Sequence, residues 1–171
     1  VDLQSTVGAG THVDVWLPAA TAKTTESAAP PVEPASPREA TKAARILLLE
    51  DEESIRRIAA TMLKRNGHEV IAVASGADAV KEFGVAQANG KSFELLILDL
   101  TVPGGLGGKE VIELIRKLDP NVPAIVSSGY SSDPVMANFE RYGFQASVPK
   151  PYEVAQLIAA VDRLLPGNRT S

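Results

Sequence analysis

Beyond residue 44 the apolar positions fall into two patterns that alternate along the chain. Short unbroken apolar runs cover Ile46 to Leu49, Val70 to Val73, Leu95 to Leu98, Ala124 to Val126 and Phe144 to Val148. Runs of this length without polar alternation predict five strands buried on both faces. Between them the spacing turns helical. Ile55, Ile58, Ala59, Met62 and Leu63 follow the i, i+3, i+4, i+7, i+8 rule, and Gly67 stands where a helix would stop. Val111, Leu114, Ile115 and Leu118 repeat the rule before Pro120, and Val154, Leu157, Ile158, Val161 and Leu165 do so between Pro151 and Pro166. Sparser forms of the pattern run from Ala77 to Gly84 and from Pro134 to Tyr142. The second of these has Asp133 as an N-cap and Val135, Phe139 and Tyr142 on one face, and it predicts a helix that is short or mobile.

Strand and helix alternating five times predict an α/β fold, a doubly wound five-stranded parallel sheet, because right-handed crossovers lay helices over both faces. This unit is expected over residues 45–166, with 167–171 as a tail. Residues 18–44 hold five prolines, nine alanines, no aromatic residue and only Val32 as a large aliphatic, which predicts a linker rather than a packed element. Before it, Val13, Val15 and Leu17 alternate with His12, Asp14 and Trp16 after the turn-forming Gly8-Ala9-Gly10, so residues 1–17 read as a β-hairpin without its sheet.

Composition narrows the function classes. The 171 residues carry 17 basic and 21 acidic side chains, a net charge of −4, and no run of Lys or Arg that would hold nucleic acid or an anionic membrane surface. Without cysteine there is no disulfide framework, thiolate metal site or thiol nucleophile. No uncharged apolar stretch approaches the roughly 18 residues that span a bilayer, and a cytoplasmic setting is expected. The first residue is Val1 rather than Met, as expected for a piece of a longer protein.

In an open parallel sheet the chemistry collects outside the carboxyl ends of the strands, near the point where strand order reverses. The first strand here runs into Glu50-Asp51-Glu52, the third into Asp99, the fourth into Ser127-Ser128, and the fifth into Lys150 after Pro149. A strand order of 2-1-3-4-5 makes the first and third strands neighbours and brings Glu50, Asp51 and Asp99 to one rim. Close carboxylates raise one another's pKa unless a cation sits among them, and an all-oxygen cluster open to water suits Mg²⁺. An aspartate beside Mg²⁺, with a lysine and a hydroxyl across the pocket, is equipped to attack a phosphoryl group. Taken singly, an acidic pair after a strand can simply cap the next helix, Asp99 can be a turn residue before Pro103-Gly104-Gly105, and Lys150 can be a solvated charge. Their order along one fold is far more specific than any of them alone.

These residues resemble the receiver domain of two-component signalling proteins, over about residues 45–166. Ile46-Leu-Leu-Leu-Glu-Asp-Glu52 is similar to the first strand and acid pair, and Leu95-Leu-Ile-Leu-Asp-Leu-Thr101 to the phosphoacceptor strand. Val126-Ser-Ser-Gly129 is similar to the switch hydroxyl segment, and Lys150-Pro151 to the lysine and its proline. The resemblance implies the flavodoxin-like strand order. It also implies Asp99 as phosphoacceptor from a histidine kinase phosphohistidine, and Mg²⁺ held by Asp51, Glu50, Asp99 and the carbonyl of Thr101. Ser128 and Lys150 would grip the phosphoryl oxygens, Lys150-Pro151 would be cis, and Thr101 and Tyr130 would tune dephosphorylation. Two positions depart from the pattern. The acid pair begins with Glu rather than the commoner Asp, and Ser147 stands where many receivers carry an aromatic switch residue, which implies a different output surface on helix four and strand five.

Residues 1–17, with Val7-Gly-Ala-Gly-Thr11 before Val13-Asp-Val-Trp-Leu-Pro18, resemble the end of a histidine kinase ATP-binding domain. By that likeness the parent is a hybrid sensor histidine kinase with a C-terminal receiver, and this piece lacks kinase activity of its own. The partners implied are a phosphohistidine domain, in the same parent chain or apart from it, or a phosphotransfer protein. Nucleic acid and membrane contact are not expected. Two other readings compete: a degenerate receiver that only docks, and an aspartyl-nucleophile phosphohydrolase, which would want a second Asp where Thr101 stands. Gly104-Gly-Leu-Gly-Gly-Lys109 departs from the P-loop at Pro103 and Glu110 and reads instead as a flexible lid beside Asp99. His12 and His68 are expected to be structural.

Overall fold

A computed structural model describes residues 2–6, 8, 10–14, 16, 43–129 and 133–165. Most of the expected linker, Val15 and Leu17 of the expected first hairpin, Tyr130, Pro166 and the tail lie outside the described residues. The chain divides into two units, residues 1–36 and 37–171. In the first, β1 (Asp2–Thr6) pairs antiparallel with β2 (Gly10–Asp14), in register from Asp2 opposite Asp14 to Thr6 opposite Gly10.

The second unit runs β3 (Arg45–Leu49), α1 (Glu53–Arg65), β4 (Glu69–Val73), α2 (Gly76–Ala88), β5 (Leu95–Asp99), α3 (Gly108–Ile115), β6 (Ala124–Ser128), α4 (Pro134–Ala137), a 3₁₀ turn (Phe139–Tyr142), β7 (Ala146–Pro149) and α5 (Val154–Leu164). The five strands are all parallel, in the order β4-β3-β5-β6-β7. That order is 2-1-3-4-5 within the unit, the flavodoxin-like order that the resemblance to receiver domains implies.

The strands read as continuous apolar runs because both faces are covered. Leu47, Leu49, Leu96, Leu98, Ala124 and Val126 pack under α2, α3 and α4 with Phe83, Val111 and Ile112. Their neighbours Ile46, Leu48, Leu95, Ile97 and Ile125 pack on the other face with Leu63 of α1 and Leu157, Ile158 and Val161 of α5. Each such large aliphatic, fully removed from water, contributes about 1.5–3 kcal/mol of transfer free energy. This rigid sheet fixes where the strand ends, and therefore the site, can lie.

Helix α1 stops at Gly67, whose φ of 89° suits a residue without Cβ and whose N–H donates to the Lys64 carbonyl at 3.0 Å. Asp133 caps α4, its Oδ1 accepting from Val135 N at 2.8 Å, and α4 is short, a single turn passing into the 3₁₀ turn. Phe144 is buried but precedes its strand, which begins at Ala146. Helix α3 ends at Ile115, earlier than its apolar period suggests. Leu118 fits the period yet is largely exposed. Lys117 and Leu118 make i→i−3 bonds instead, and the Arg116 guanidinium turns away to donate to the carbonyls of Pro120, Val122 and Gly143.

His68 sits buried at the start of the β4 segment. Its Nδ1 accepts from Ala44 N at 3.4 Å, so the proton of the neutral ring is on Nε2, which has no partner among the described residues. Burial holds the imidazole below its ordinary pKa, against the weaker pull of Asp162 and Glu94. A depressed folded pKa means that the unfolded chain takes up a proton first as pH falls. The contribution of His68 is therefore complete above the unfolded value of about 6.5 and is lost as pH drops through the folded one. Urea midpoints should fall between pH 7 and pH 5 in the wild type, and less steeply in His68→Gln. Equal slopes would remove His68 from the acid response.

Candidate functional site

The carboxyl ends of β3, β5 and β7 converge on a cleft of about 550 Å³ lined by Glu50, Asp51, Asp99, Thr101 and Lys150, with Pro103, Gly129 and Pro151 at its edges. β3 delivers Glu50, fully buried, and the more exposed Asp51. β5 delivers Asp99, 3% exposed, as its last residue. Carboxylate oxygens of Glu50, Asp51 and Asp99 lie within 4.8 Å of one another. Lys150 follows β7 and joins Pro151 through a cis peptide bond. Its Nζ lies 2.7 Å from Asp99 Oδ2 and 2.5 Å from Glu50 Oε2. The other Asp99 oxygen, Oδ1, accepts from Thr101 N at 3.2 Å.

Ser128 ends β6 nearby, buried, and its carbonyl accepts from Lys150 N at 2.9 Å. Its neighbour Gly129 lines the cleft, whereas Ser128 itself does not. Five of the six side chains expected at the site therefore share one cleft, and the sixth stands beside it.

Burial pushes the Glu50 carboxyl above the usual carboxylate range, because the favourable charge of Lys150 does not fully offset desolvation and Asp99 adds repulsion. Asp99 is pushed up for the same first reason, with Asp51 adding to it. Burial alone would lower Lys150, but its hydrogen bonds to Asp99 and Glu50 outweigh that and hold its pKa above the ordinary value. Three carboxylates facing one ammonium leave the cleft short of positive charge. The donors are all oxygen and the cleft is open to water, a set that fits a hard divalent cation such as Mg²⁺.

Two residues at the site escape sequence reasoning. Arg56, on the first turns of α1, donates from Nη1 to the carbonyls of Glu50 at 2.7 Å and Asp51 at 2.9 Å, fastening the acidic loop to the helix that follows it. Tyr152 donates its hydroxyl to Glu50 Oε2 at 3.3 Å. Burial pushes this phenol well above its ordinary pKa, so it remains a donor. The only sequence signal for either is proximity, Arg56 to the acid pair and Tyr152 to Lys150.

The glycine-rich segment is only partly the lid that its composition suggests. Gly104 takes a φ of 71° in a turn closed by Gly105 N to Val102 O at 3.2 Å. Gly107 and Gly108, by contrast, are held by close approach. A Cβ on Gly107 would collide with the Leu100 carbonyl, and one on Gly108 would lie 2.8 Å from the Asp99 carbonyl oxygen. Both obstacles are backbone and cannot swing aside. Gly108→Ala should cost about 1–3 kcal/mol, read as a lower urea midpoint, and should displace the end of β5 that carries Asp99. An unchanged midpoint would mean that this approach is not a constraint.

Residues 46–162 match the family model described as the response regulator receiver domain. YkoG of Bacillus subtilis, an uncharacterized transcriptional regulatory protein, is 33% identical over 125 residues, 73% of this chain and 52% of YkoG. The sensor kinase CckA of Brucella abortus is 28% identical over 170 residues, 94% of this chain and 17% of CckA. The crystal structure of a CheY-like response regulator receiver domain protein from Methanospirillum hungatei aligns with a TM-score of 0.60 at 25% identity, over 71% of this chain and 92% of that one. The chain thus spans about half the length of YkoG and a far smaller share of CckA. No helix among the described residues is long and apolar enough to cross a membrane.

Proposed function

Because this chain belongs to the response regulator receiver domain family, we propose that Asp99 accepts a phosphoryl group from the phosphohistidine of a histidine kinase or phosphotransfer protein. The observation that carries this reading is the placement of Asp99, fixed through both oxygens, beside Lys150 and two further carboxylates in an open cleft. A carboxylate oxygen of Asp99 attacks phosphorus. The bond from phosphorus to the leaving nitrogen breaks, its electron pair stays on that nitrogen, which takes up a proton, and an acyl phosphate is left on Asp99. The ammonium of Lys150 balances charge on the transferring oxygens, and the Ser128 hydroxyl, at the end of β6, would donate to them. Asp51, Glu50, Asp99 and the Thr101 carbonyl would hold Mg²⁺, which when bound supplies the positive charge that lets two anions meet. Arg56 keeps the loop bearing Glu50 and Asp51 in place.

The same reading extends to the parent protein. The likeness to CckA runs over 94% of this chain, well beyond the receiver match. It supports residues 1–17 as the end of a histidine kinase ATP-binding domain, 18–44 as linker and 45–166 as the receiver of a hybrid sensor kinase, a transferase acting in the cytoplasm, with 167–171 as a tail. A docking module without chemistry would have no need of the paired Asp99 and Lys150. A phosphohydrolase would want a second acid where Thr101 stands.

Intact mass after incubation with acetyl phosphate tests the assignment. One added phosphoryl group with Mg²⁺ and none with chelator is the expected result. A protein that stays unmodified, and that also fails to bind a beryllium fluoride mimic, is not a phosphoacceptor.

A further inference from the structure

Glu50 is the most enclosed of the three carboxylates, and its two oxygens are unequally held. Oε2 accepts from Lys150 Nζ at 2.5 Å and, over a longer reach, from the Tyr152 hydroxyl at 3.3 Å, whereas among the described residues Oε1 has a single long contact, 3.4 Å from Glu52 N. A glutamate carries one more rotatable bond than an aspartate, so holding its carboxylate in one orientation costs more side-chain entropy. An added anchor on one oxygen reduces what must be lost when the other side of the group is used. Tyr152 arrives with Lys150 from the turn after β7 and is half-buried against the α1 and α5 face of the sheet. The buried Ser127 hydroxyl also lies against the phenol, without a hydrogen bond of good geometry among the described residues.

We propose that Tyr152 is a positioning residue for the metal site, its hydroxyl fixing the carboxylate of Glu50 so that this longer acid serves Mg²⁺. The inference rests on the reading of Glu50 as a metal ligand. Lys150 cannot fix Glu50 alone, because its ammonium is shared with Asp99 and must follow the phosphoryl oxygens when they arrive. The phenol has no such second duty, and at neutral pH it is a donor. Outer-shell donors of this kind orient a ligand that they do not themselves replace.

Tyr152→Phe removes the hydroxyl and keeps the ring. The full chain and this variant are to be compared by calorimetric titration with Mg²⁺ alone, and by the rate of acetyl phosphate incorporation as a function of Mg²⁺ concentration. Mg²⁺ affinity should fall about tenfold, while the rate at saturating Mg²⁺ stays near that of the wild type. A fall in the saturating rate with unchanged affinity would overturn the proposal. Should the variant prove less stable, a cycle with Glu50→Asp decides, because the shorter acid does not reach the phenol. Tyr152→Phe should then add nothing to Glu50→Asp, and additive losses would show that the hydroxyl acts elsewhere. If the wild type itself takes up no Mg²⁺, the metal reading falls and this proposal with it. A wild type that binds Mg²⁺ beside an unaffected Tyr152→Phe overturns the proposal alone.

Discussion

Asp99→Asn should take up no phosphoryl group from acetyl phosphate, at any Mg²⁺ concentration, while folding at least as well as the wild type. The amide keeps the shape and can still accept from Thr101 N, but it is not a nucleophile toward phosphorus. Its effect on stability follows from electrostatics. Burial raises the Asp99 carboxyl above its ordinary pKa despite Lys150, so in the fold its ionised form is disfavoured relative to the unfolded chain. A carboxyl raised in this way stabilises the fold fully below its unfolded pKa of about 3.8, and that contribution is lost as pH climbs through the folded value. At neutral pH without metal, Asp99 is therefore a cost, and Asp99→Asn should raise the urea midpoint while weakening the stabilisation that Mg²⁺ gives the wild type. Intact mass and urea titrations with and without Mg²⁺ read both effects. An adduct that persists in Asp99→Asn would move the acceptor to another residue. A lower midpoint would mean that the Lys150 contact outweighs burial.

The strands are legible in the sequence because a sheet covered on both faces leaves no polar alternation to blur them, and α1 and α5 because each must bury a broad apolar stripe. Helix α2 is understated by its residues. It runs from Gly76 to Ala88, but three of the four residues on its buried face, Gly76, Ala79 and Ala86, are small, so that around Phe83 the helix lies close and gives little periodic hydrophobic signal. The meeting of Asp99 with Lys150, 51 residues apart, follows from parallel topology together with strand order, since every strand delivers its carboxyl end to the same rim and only β6 separates β5 from β7. Arg56 and Tyr152 are not legible in this way. In the sequence the first is one more charged position on α1 and the second one more aromatic beside a proline. What makes them part of the site is a reach of a few ångströms that only the packed structure defines. The glycines illustrate the opposite error. Composition suggests freedom at Gly107 and Gly108, whereas the fold uses their missing Cβ atoms to bring α3 against the end of β5.

Lys150→Ala should be the most damaging single change at the site, because it affects stability and chemistry at once. The ammonium is the cation that bonds both buried carboxylates, Glu50 and Asp99. Removing one member of a buried ion pair costs about 3–5 kcal/mol, since the partner is left charged and without compensation. Here two partners are left, and both already lie above the ordinary carboxylate pKa with Lys150 present. Without it they rise further, so in the variant the folded state takes up protons at higher pH than the unfolded chain. Its stability must then increase as pH falls from neutrality through those raised folded values and level off below the unfolded ones. Mg²⁺ should restore part of the loss at neutral pH by supplying positive charge to the same carboxylates, and should do so more strongly than it stabilises the wild type. Phosphoryl uptake should remain slow even in saturating Mg²⁺, by about 10²–10³-fold, the usual cost of deleting one preorganised charge partner of a transition state. The measurements are urea midpoints from pH 7.5 to pH 5 with and without Mg²⁺, and rates of acetyl phosphate incorporation. A variant as stable as the wild type at neutral pH would mean that the carboxylates are already protonated or solvated there. In that case the charge shortage on which the Mg²⁺ proposal rests would not exist.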